Sequence, residues 1–277
     1  MPEGDTIFRS ARALNRVLAG KIATRFETVY AHLANVDDDR KIAGRIVERV
    51  EARGKWLLIY FSGDLILVTH MRMNGSWHLY RTGERWRRPR RDMRIVIETA
   101  DWNAVGFAVP VAEFHSSASL LRKTMIPALG SDLLQQNFNI GSAIAKMQEH
   151  PDEDIAEVLL NQRVMAGVGN VYKSETCFMC GVNPFRRVRT LDPDELEQLV
   201  FTARKFLTLN VAEDADGEIS TYAGLRRTTQ SSDHSARLWV YGRHGEPCRR
   251  CGTPIEMRKQ GSGARTTFWC PICQPMV

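Results

Sequence analysis

The 277-residue sequence has no long hydrophobic run: its apolar runs, such as Leu65–Thr69, stop far short of the ~20 residues that cross a bilayer. It also lacks a basic, apolar leader, since Met1-Pro-Glu-Gly-Asp5 is acidic where a signal or transit peptide is basic. The chain is therefore expected to stay in the cytoplasm. No internal repeat or low-complexity tract is present, which excludes repeat architectures. Cysteine is scarce, six residues with four of them in the last thirty, and disulfides are not expected in a reducing compartment. What remains is an ordinary globular composition, 43% hydrophobic and 25% charged, with chain enough for roughly two domains.

The charge balance is basic, +6 at neutral pH, and the charge is segregated. Arg81, Arg85, Arg87, Arg88, Arg90, Arg91 and Arg94 face only Glu84 and Asp92 in their stretch. Near the end, Arg243, Arg249, Arg250, Arg258, Lys259 and Arg265 face Glu246 and Glu256, while acid collects at Asp37–Asp39, Glu149–Glu157 and Asp192–Glu197. Such segregation fits either one surface built for phosphates or two solvated loops, and composition does not choose between them.

Patterning divides the chain into residues 1–115, rich in strands; 116–135, a linker; 136–240, helical; and 241–277, with four cysteines. Ile7, Ala11, Leu14 and Leu18 share one face of an opening helix that Gly20 stops. Lys55–Phe61 and Leu65–Thr69 read as a hairpin turned at Ser62-Gly63-Asp64, with further strands at Trp77–Tyr80 and Arg94–Thr99. Asp154–Gln162 and Leu196–Leu207 are amphipathic helices, and Asp214–Asp233 is expected to be a mobile loop.

The C-terminal Cys248-Arg-Arg-Cys251 and Cys270-Pro-Ile-Cys273 are two C-x-x-C knuckles separated by eighteen residues, the spacing of a four-thiolate zinc ribbon. Four thiolates leave no open position, so one zinc ion here is structural, supplying folding energy that so short a segment cannot draw from a core. Cys177 and Cys180 have no second pair and are expected to pack as small buried groups.

Gly167-Val-Gly169-Asn170 turns the chain between two helices and puts Asn170 at the start of the second, where exposed N–H groups favour a phosphate; an ordinary helical hairpin with Asn170 as its cap is the other reading. At the N-terminus, removal of Met1 would leave Pro2 with a secondary amine that titrates near ~8 and lower beside the positive end of a helix. Such an amine can attack an aldehydic carbon, with Glu3 placed to move protons. Alternatively, Pro2 merely starts the chain and Glu3 serves the helix dipole.

In combination these residues are no longer ambiguous. Pro2-Glu3-Gly4-Asp5-Thr6, Gly54-Lys55, Gly167-Val-Gly-Asn170-Val-Tyr-Lys-Ser-Glu175 and the four-cysteine ending occur in an order that resembles the formamidopyrimidine-DNA glycosylase/endonuclease VIII family of base-excision repair enzymes, over essentially the whole chain. Leu129-Gly-Ser-Asp-Leu133, Val240-Tyr-Gly-Arg243 and Gly263-Ala-Arg265-Thr266 agree.

The resemblance implies an α+β, multidomain fold: an N-terminal two-layer β-sandwich with a flanking helix, a helix–two-turn–helix domain and a zinc finger, with damaged double-stranded DNA between. Single-stranded or bubble DNA is a further possible partner, and a monomer is expected. It also implies that Pro2 is the Schiff-base nucleophile and Glu3 the proton donor, and that Lys55 moves a proton in the later elimination and holds a phosphate. Asn170 and Arg265 would clamp the phosphates flanking a flipped-out nucleotide. His70 would add a phosphate contact or be structural, Met73 would fill the vacated stack or be a core methionine, and Glu175 would support the site. The Pro-Glu-Gly-Asp start, and the absence of any arginine in Gly106–Phe114 where purine-preferring members carry Arg-Arg-Phe, place the chain on the endonuclease VIII side. The expected activity is excision of oxidised pyrimidines with strand cleavage by β,δ-elimination. The rivals are a purine-preferring glycosylase and a non-catalytic DNA-binding protein, and the latter would show loss of Pro2, Glu3 or Lys55.

Overall fold

Short strands with long buried stretches build the first half of the protein. The computed structural model describes residues 2–123, 126–212, 226–229 and 236–276, in two units divided between Ala128 and Leu129. In the N-terminal unit, helix α1 (Gly4–Leu18) is followed by β1 (Arg25–Thr28), α2 (Ala31–Arg40), β2 (Val47–Arg53), β3 (Trp56–Phe61), β4 (Leu65–His70), β5 (Ser76–Arg81), β6 (Met93–Glu98), β7 (Trp102–Phe107), β8 (Val111–His115) and α3 (Ser117–Lys123). The strands form two four-stranded antiparallel sheets, in the orders β1-β6-β7-β5 and β2-β3-β4-β8.

Leu57, Ile59, Phe61, Leu65 and Leu67 of one sheet share a single core with Phe26, Trp77, Ile95, Ile97 and Ala104 of the other and with Ile7, Ala11, Leu14 and Leu18 of α1. Each large side chain so buried contributes about 1.5–3 kcal/mol. The apolar runs of β3 and β4 are continuous rather than alternating because their other face is also covered. There, Leu58, Ile66 and Val68 pack with Leu120 of α3 and with Ile126.

In the C-terminal unit, β9 (Ser131–Asp132), α4 (Ile140–Gln148), α5 (Ile155–Leu160), β10 (Met165–Ala166), α6 (Asn170–Met179) and α7 (Pro193–Ala212) precede a hairpin of β11 (Glu256–Gln260) and β12 (Arg265–Trp269). The two-residue strands β9 and β10 pair in parallel. Gly130 enters this pairing so closely that a Cβ there would lie 2.2 Å from the Val164 carbonyl oxygen. Leu196, Leu199, Val200, Ala203, Phe206 and Leu207 line one side of α7 and join Val158, Leu159 and Tyr172 in the second core.

The stretch 116–135, read above as a linker, carries α3, a 3-10 turn at Ile126–Ala128 and β9. The loop expected over Asp214–Asp233 lies outside the described residues apart from 226–229. Among the described residues, no helix is long and apolar enough to cross a membrane.

Candidate active site and metal centre

The N-terminal unit gathers its candidate residues along one end of the sandwich. Helix α1 packs along β2 in the opposite sense: the Gly20 N–H donates to the Val47 carbonyl (2.8 Å), and Asn15 Oδ1 accepts the Val50 N–H (2.8 Å). This direction carries Pro2 and Glu3, at the start of α1, towards the Arg53 end of β2. The β2–β3 turn at that end holds half-buried Lys55 after Gly54, whose φ of 57° suits glycine. Trp56 pairs with His70 and His70 with Val111, so the turns following β4 and preceding β8 lie at the same end. Pro2 and Glu3 are buried, and Glu3 occupies the N-cap of α1 with no capping hydrogen bond from its side chain.

The turn after β4 explains the two methionines. Met71 is fully buried in the core, whereas Met73 is 56% exposed, so the core methionine of this turn is Met71. The turn is tight: the Gly75 N–H donates to the Met71 carbonyl (2.9 Å), and a Cβ on Gly75 would lie 2.6 Å from that oxygen and 3.2 Å from the carbonyl oxygen of Ala108. Only glycine lets these two turns touch.

His70 accepts the Arg72 backbone N–H at Nδ1 (3.0 Å), which leaves the proton of its neutral ring on Nε2 as a donor. Burial, reinforced by Lys55 and Arg72, pushes its pKa down to about 4. With a folded-state pKa below the unfolded one, the stability of the neutral ring is complete above about 6.5 and lost as pH falls from there to about 4. Urea unfolding at about pH 7 and about pH 5 should therefore show a smaller acid loss for His70→Gln than for the parent. An equal loss would place the proton uptake elsewhere.

In the C-terminal unit a buried polar chain seats the hairpin on the helices. Gly169 is the N-cap of α6 and Asn170 its first helical residue, so Asn170 does not cap the helix. Its amide turns instead to β12, with Nδ2 donating to the Thr266 carbonyl (2.7 Å). Fully buried Lys173 donates to Asn170 Oδ1 (2.7 Å) and Thr267 Oγ1 (2.7 Å). Thr267 Oγ1 donates to Gln260 Oε1 (2.8 Å), and Gln260 Nε2 donates to Asp154 Oδ2 (2.9 Å) at the N-cap of α5. Exposed Arg265 is the residue before Thr266, so this network sets it beside the start of α6.

Buried Glu175 accepts the N–H groups of Trp239, Val240 and Tyr241 (2.8–2.9 Å) and the Thr228 hydroxyl, fixing the peptide that leads to the metal centre. Lys173 and Gln260 were not singled out from the sequence; a lysine one helical turn after Asn170 is the only local signal of the first. Arg243, counted above among surface cations, is in fact buried. It donates to the Trp239 and Pro247 carbonyls and pairs with Glu246 (2.9 Å).

The Sγ atoms of Cys248, Cys251, Cys270 and Cys273 lie within 4.8 Å of one another, with 3.9 Å between Cys248 and Cys273 and 3.5 Å between Cys251 and Cys270. Tetrahedral zinc with bonds of ~2.3 Å needs sulfurs ~3.8 Å apart, so the set fits one structural zinc ion. Cys177 and Cys180 are not in it. Burial holds their thiols up at about 12 and about 11, so they stay protonated. Cys177 is fully buried as expected, but Cys180 is only partly so, its Sγ donating to Thr202 Oγ1 (3.4 Å).

Comparison with known proteins agrees part by part. Residues 1–110 match the formamidopyrimidine-DNA glycosylase N-terminal domain, 129–222 the formamidopyrimidine-DNA glycosylase H2TH domain, and 245–275 the zinc finger found in FPG and IleRS. A probable endonuclease 8 2 of Streptomyces coelicolor is 39% identical, over 99% of this chain and 94% of its own. The chain belongs to the formamidopyrimidine-DNA glycosylase/endonuclease VIII family. It lies on the endonuclease VIII-like branch, for the DNA-(apurinic or apyrimidinic site) lyase Nei2 of Mycolicibacterium smegmatis is 40% identical over 99% of both chains, and endonuclease 8 of Escherichia coli is 29% identical over 99% of this chain and 100% of its own. The fold of the family is shared more widely: Lactococcus lactis Fpg, solved with DNA containing an abasic site, superposes with a TM-score of 0.81 at 23% identity, over 99% of this chain and 100% of the other.

Proposed function

We propose that this protein excises oxidised pyrimidines from damaged duplex DNA, using the Pro2 amine as nucleophile and cutting the strand by β,δ-elimination. It is a DNA glycosylase/AP lyase of base excision repair, as its family membership and its relatives' names state. The observation that carries the finer reading is the clustering of the start of α1, Lys55, His70 and exposed Met73 at one end of the sandwich. The amine adds to the sugar C1′ as the C1′–base bond breaks, the base leaving with a proton relayed by Glu3. Loss of the amine proton and cleavage of the C1′–O4′ bond, with a proton taken up at O4′, then give the ring-opened cationic iminium. Loss of a C2′ proton then expels the 3′ phosphate, and a second elimination expels the 5′ phosphate. Lys55 moves protons in these steps and holds a phosphate, His70 offers its Nε2 proton to another, and Asn170 and Arg265 hold the flanking phosphates. Met73 fills the vacated stack, at a cost in unstacking of a few kcal/mol that the backbone contacts offset. The protein works as a monomer, with the chromosome in the cytoplasm.

The preference for pyrimidines rests on the turn between β7 and β8. Ala108-Val-Pro-Val-Ala112 has no cation and no hydrogen-bonding side chain, Val109 is buried, and its carbonyl is taken by the Tyr30 hydroxyl (2.5 Å). No side chain on this turn can hydrogen-bond the base opposite the lesion, so discrimination falls to the pocket. In single-turnover assays on matched duplexes, thymine glycol, dihydrouracil and 5-hydroxycytosine should be removed at least ~10-fold faster than 8-oxoguanine, with little dependence on the opposite base. Faster removal of 8-oxoguanine with cytosine required opposite would assign the protein to purines.

A further inference from the structure

The arginine-rich segment between β5 and β6 plays no part in the mechanism above, yet it is folded against the sandwich in a specific way. Strand β7 lies between β5 and β6, and β5 ends with Arg81 opposite Trp102, whereas β6 begins with Met93 opposite Phe107. The connection must therefore travel back along the outer face of the sheet, from the far end to the end that carries Met73. Trp86 pins it there, packing on Tyr80, Met93, Val96, Val105 and Phe107, with its ring 5.7 Å from that of Phe107. The Arg87 N–H donates to the Tyr80 hydroxyl (3.1 Å). Arg88 donates to Ser76 Oγ (3.1 Å) and pairs with Asp92 (3.3 Å), whose carbonyl accepts the Ala108 N–H (2.7 Å). The segment is thus tied to the same two turns that meet at Gly75.

This packing separates the arginines into two kinds. Arg88 and Arg94 hold the segment together, and Arg90 pairs with Glu27 (2.7 Å). Arg85, Arg87 and Arg91 are exposed and have no ion-pair partner among the described residues. They are carried by an anchored segment, and Arg85 and Arg87 line an open cavity of about 620 Å³ formed by residues 84–90. The local field is positive enough that Arg88 and Arg87 add to burial in holding His78 at about 4. A merely solvated loop needs no tryptophan anchor, and an ion-pair network would have used these three cations.

We propose that Arg85, Arg87 and Arg91 form a second contact with the phosphodiester backbone of duplex DNA, beside the turn that carries Met73. The inference rests on the reading that this end of the sandwich faces DNA. Guanidinium groups fork onto phosphate oxygens, and the backbone that carries these three is already anchored, so it need not be ordered on binding. Such contacts carry no sequence or lesion information, so they raise affinity for damaged and undamaged duplex alike.

The test is the salt dependence of duplex binding by the full chain. Each neutralised phosphate contributes about −0.9 to the slope of log K against log salt. Replacing Arg85, Arg87 and Arg91 together with Gln should flatten that slope by about 2–3 and weaken low-salt binding at least ~10-fold, while the ratio of affinities for abasic-analogue and undamaged duplex stays the same. A charge-matched control replaces Arg16, Lys21 and Lys41, exposed residues at the opposite end of the sandwich, with Gln. An unchanged slope in the first variant, or equal flattening in the control, overturns the proposal. Borohydride trapping on abasic-site DNA tests the catalytic reading separately: a flattened slope without trapping would keep the contact and remove the mechanism, and trapping with an unchanged slope would do the reverse.

Discussion

Borohydride added to this protein on an abasic-site duplex should leave one covalent protein–DNA adduct, and peptide mapping should place it on the Pro2 amine. The reduction adds hydride across the iminium carbon–nitrogen bond and makes the transient link permanent. Acetylating that amine removes the nucleophile, and both base excision and strand cleavage should fall by roughly three orders of magnitude or more. Glu3→Gln should separate the two activities. Excision needs a proton delivered to the leaving base and should drop by about 10²–10⁴-fold, whereas a preformed abasic site has no base to expel and should be cut far better. Glu3 is fully buried at the N-cap of α1, beside Pro2, and its side chain makes no capping hydrogen bond. An adduct mapped to Lys55, or full activity with an acetylated terminus, would overturn the assignment.

The second large effect concerns zinc. Cys251→Ser should lose the ion, and with it the β11–β12 hairpin and most affinity for lesion DNA. The apolar cluster beneath the four thiolates is small, built on Phe178, Val240 and Ile255 beside Cys248 and Cys270. Zinc binding, worth ~10–16 kcal/mol in isolated fingers, is therefore the main source of order there. Losing the hairpin also removes Thr266 and Thr267 from Lys173 and Asn170, so the phosphate contact proposed for Asn170 and Arg265 should fail along with the metal site. Elemental analysis should find one zinc per chain in the parent and in Cys177→Ser, and none in Cys251→Ser. Metal loss in Cys177→Ser, or zinc and wild-type affinity retained in Cys251→Ser, would refute this.

The sequence was legible where the physics is local. The β3–β4 hairpin follows from two apolar runs and a Ser-Gly-Asp turn, and the structure pairs Phe61 with Leu65 across it. The knuckles are legible because a chelate needs two thiolates within one turn of chain. Helix α1 announces itself by a single apolar face. The resemblance rested on short motifs of the same local kind, and it pointed to Lys55 and Asn170 without saying what holds them.

What only the tertiary structure decided is which polar groups have partners, because those partners are remote in sequence. Lys173 meets Thr267 across 94 residues, and Gln260 meets Asp154 across 106, so neither contact has a local pattern. The same holds for the methionines of one turn, where packing sends Met71 into the core and leaves Met73 outside. The arginines also divide in this way: Arg243 and Arg88 are consumed by carbonyls, hydroxyls and carboxylates that the fold brings to them, while exposed Arg85, Arg87 and Arg91 have no ion-pair partner among the described residues. A run of like charges specifies an electrostatic tendency, but burial and hydrogen bonding, settled when distant segments pack, determine which of those charges are left to act.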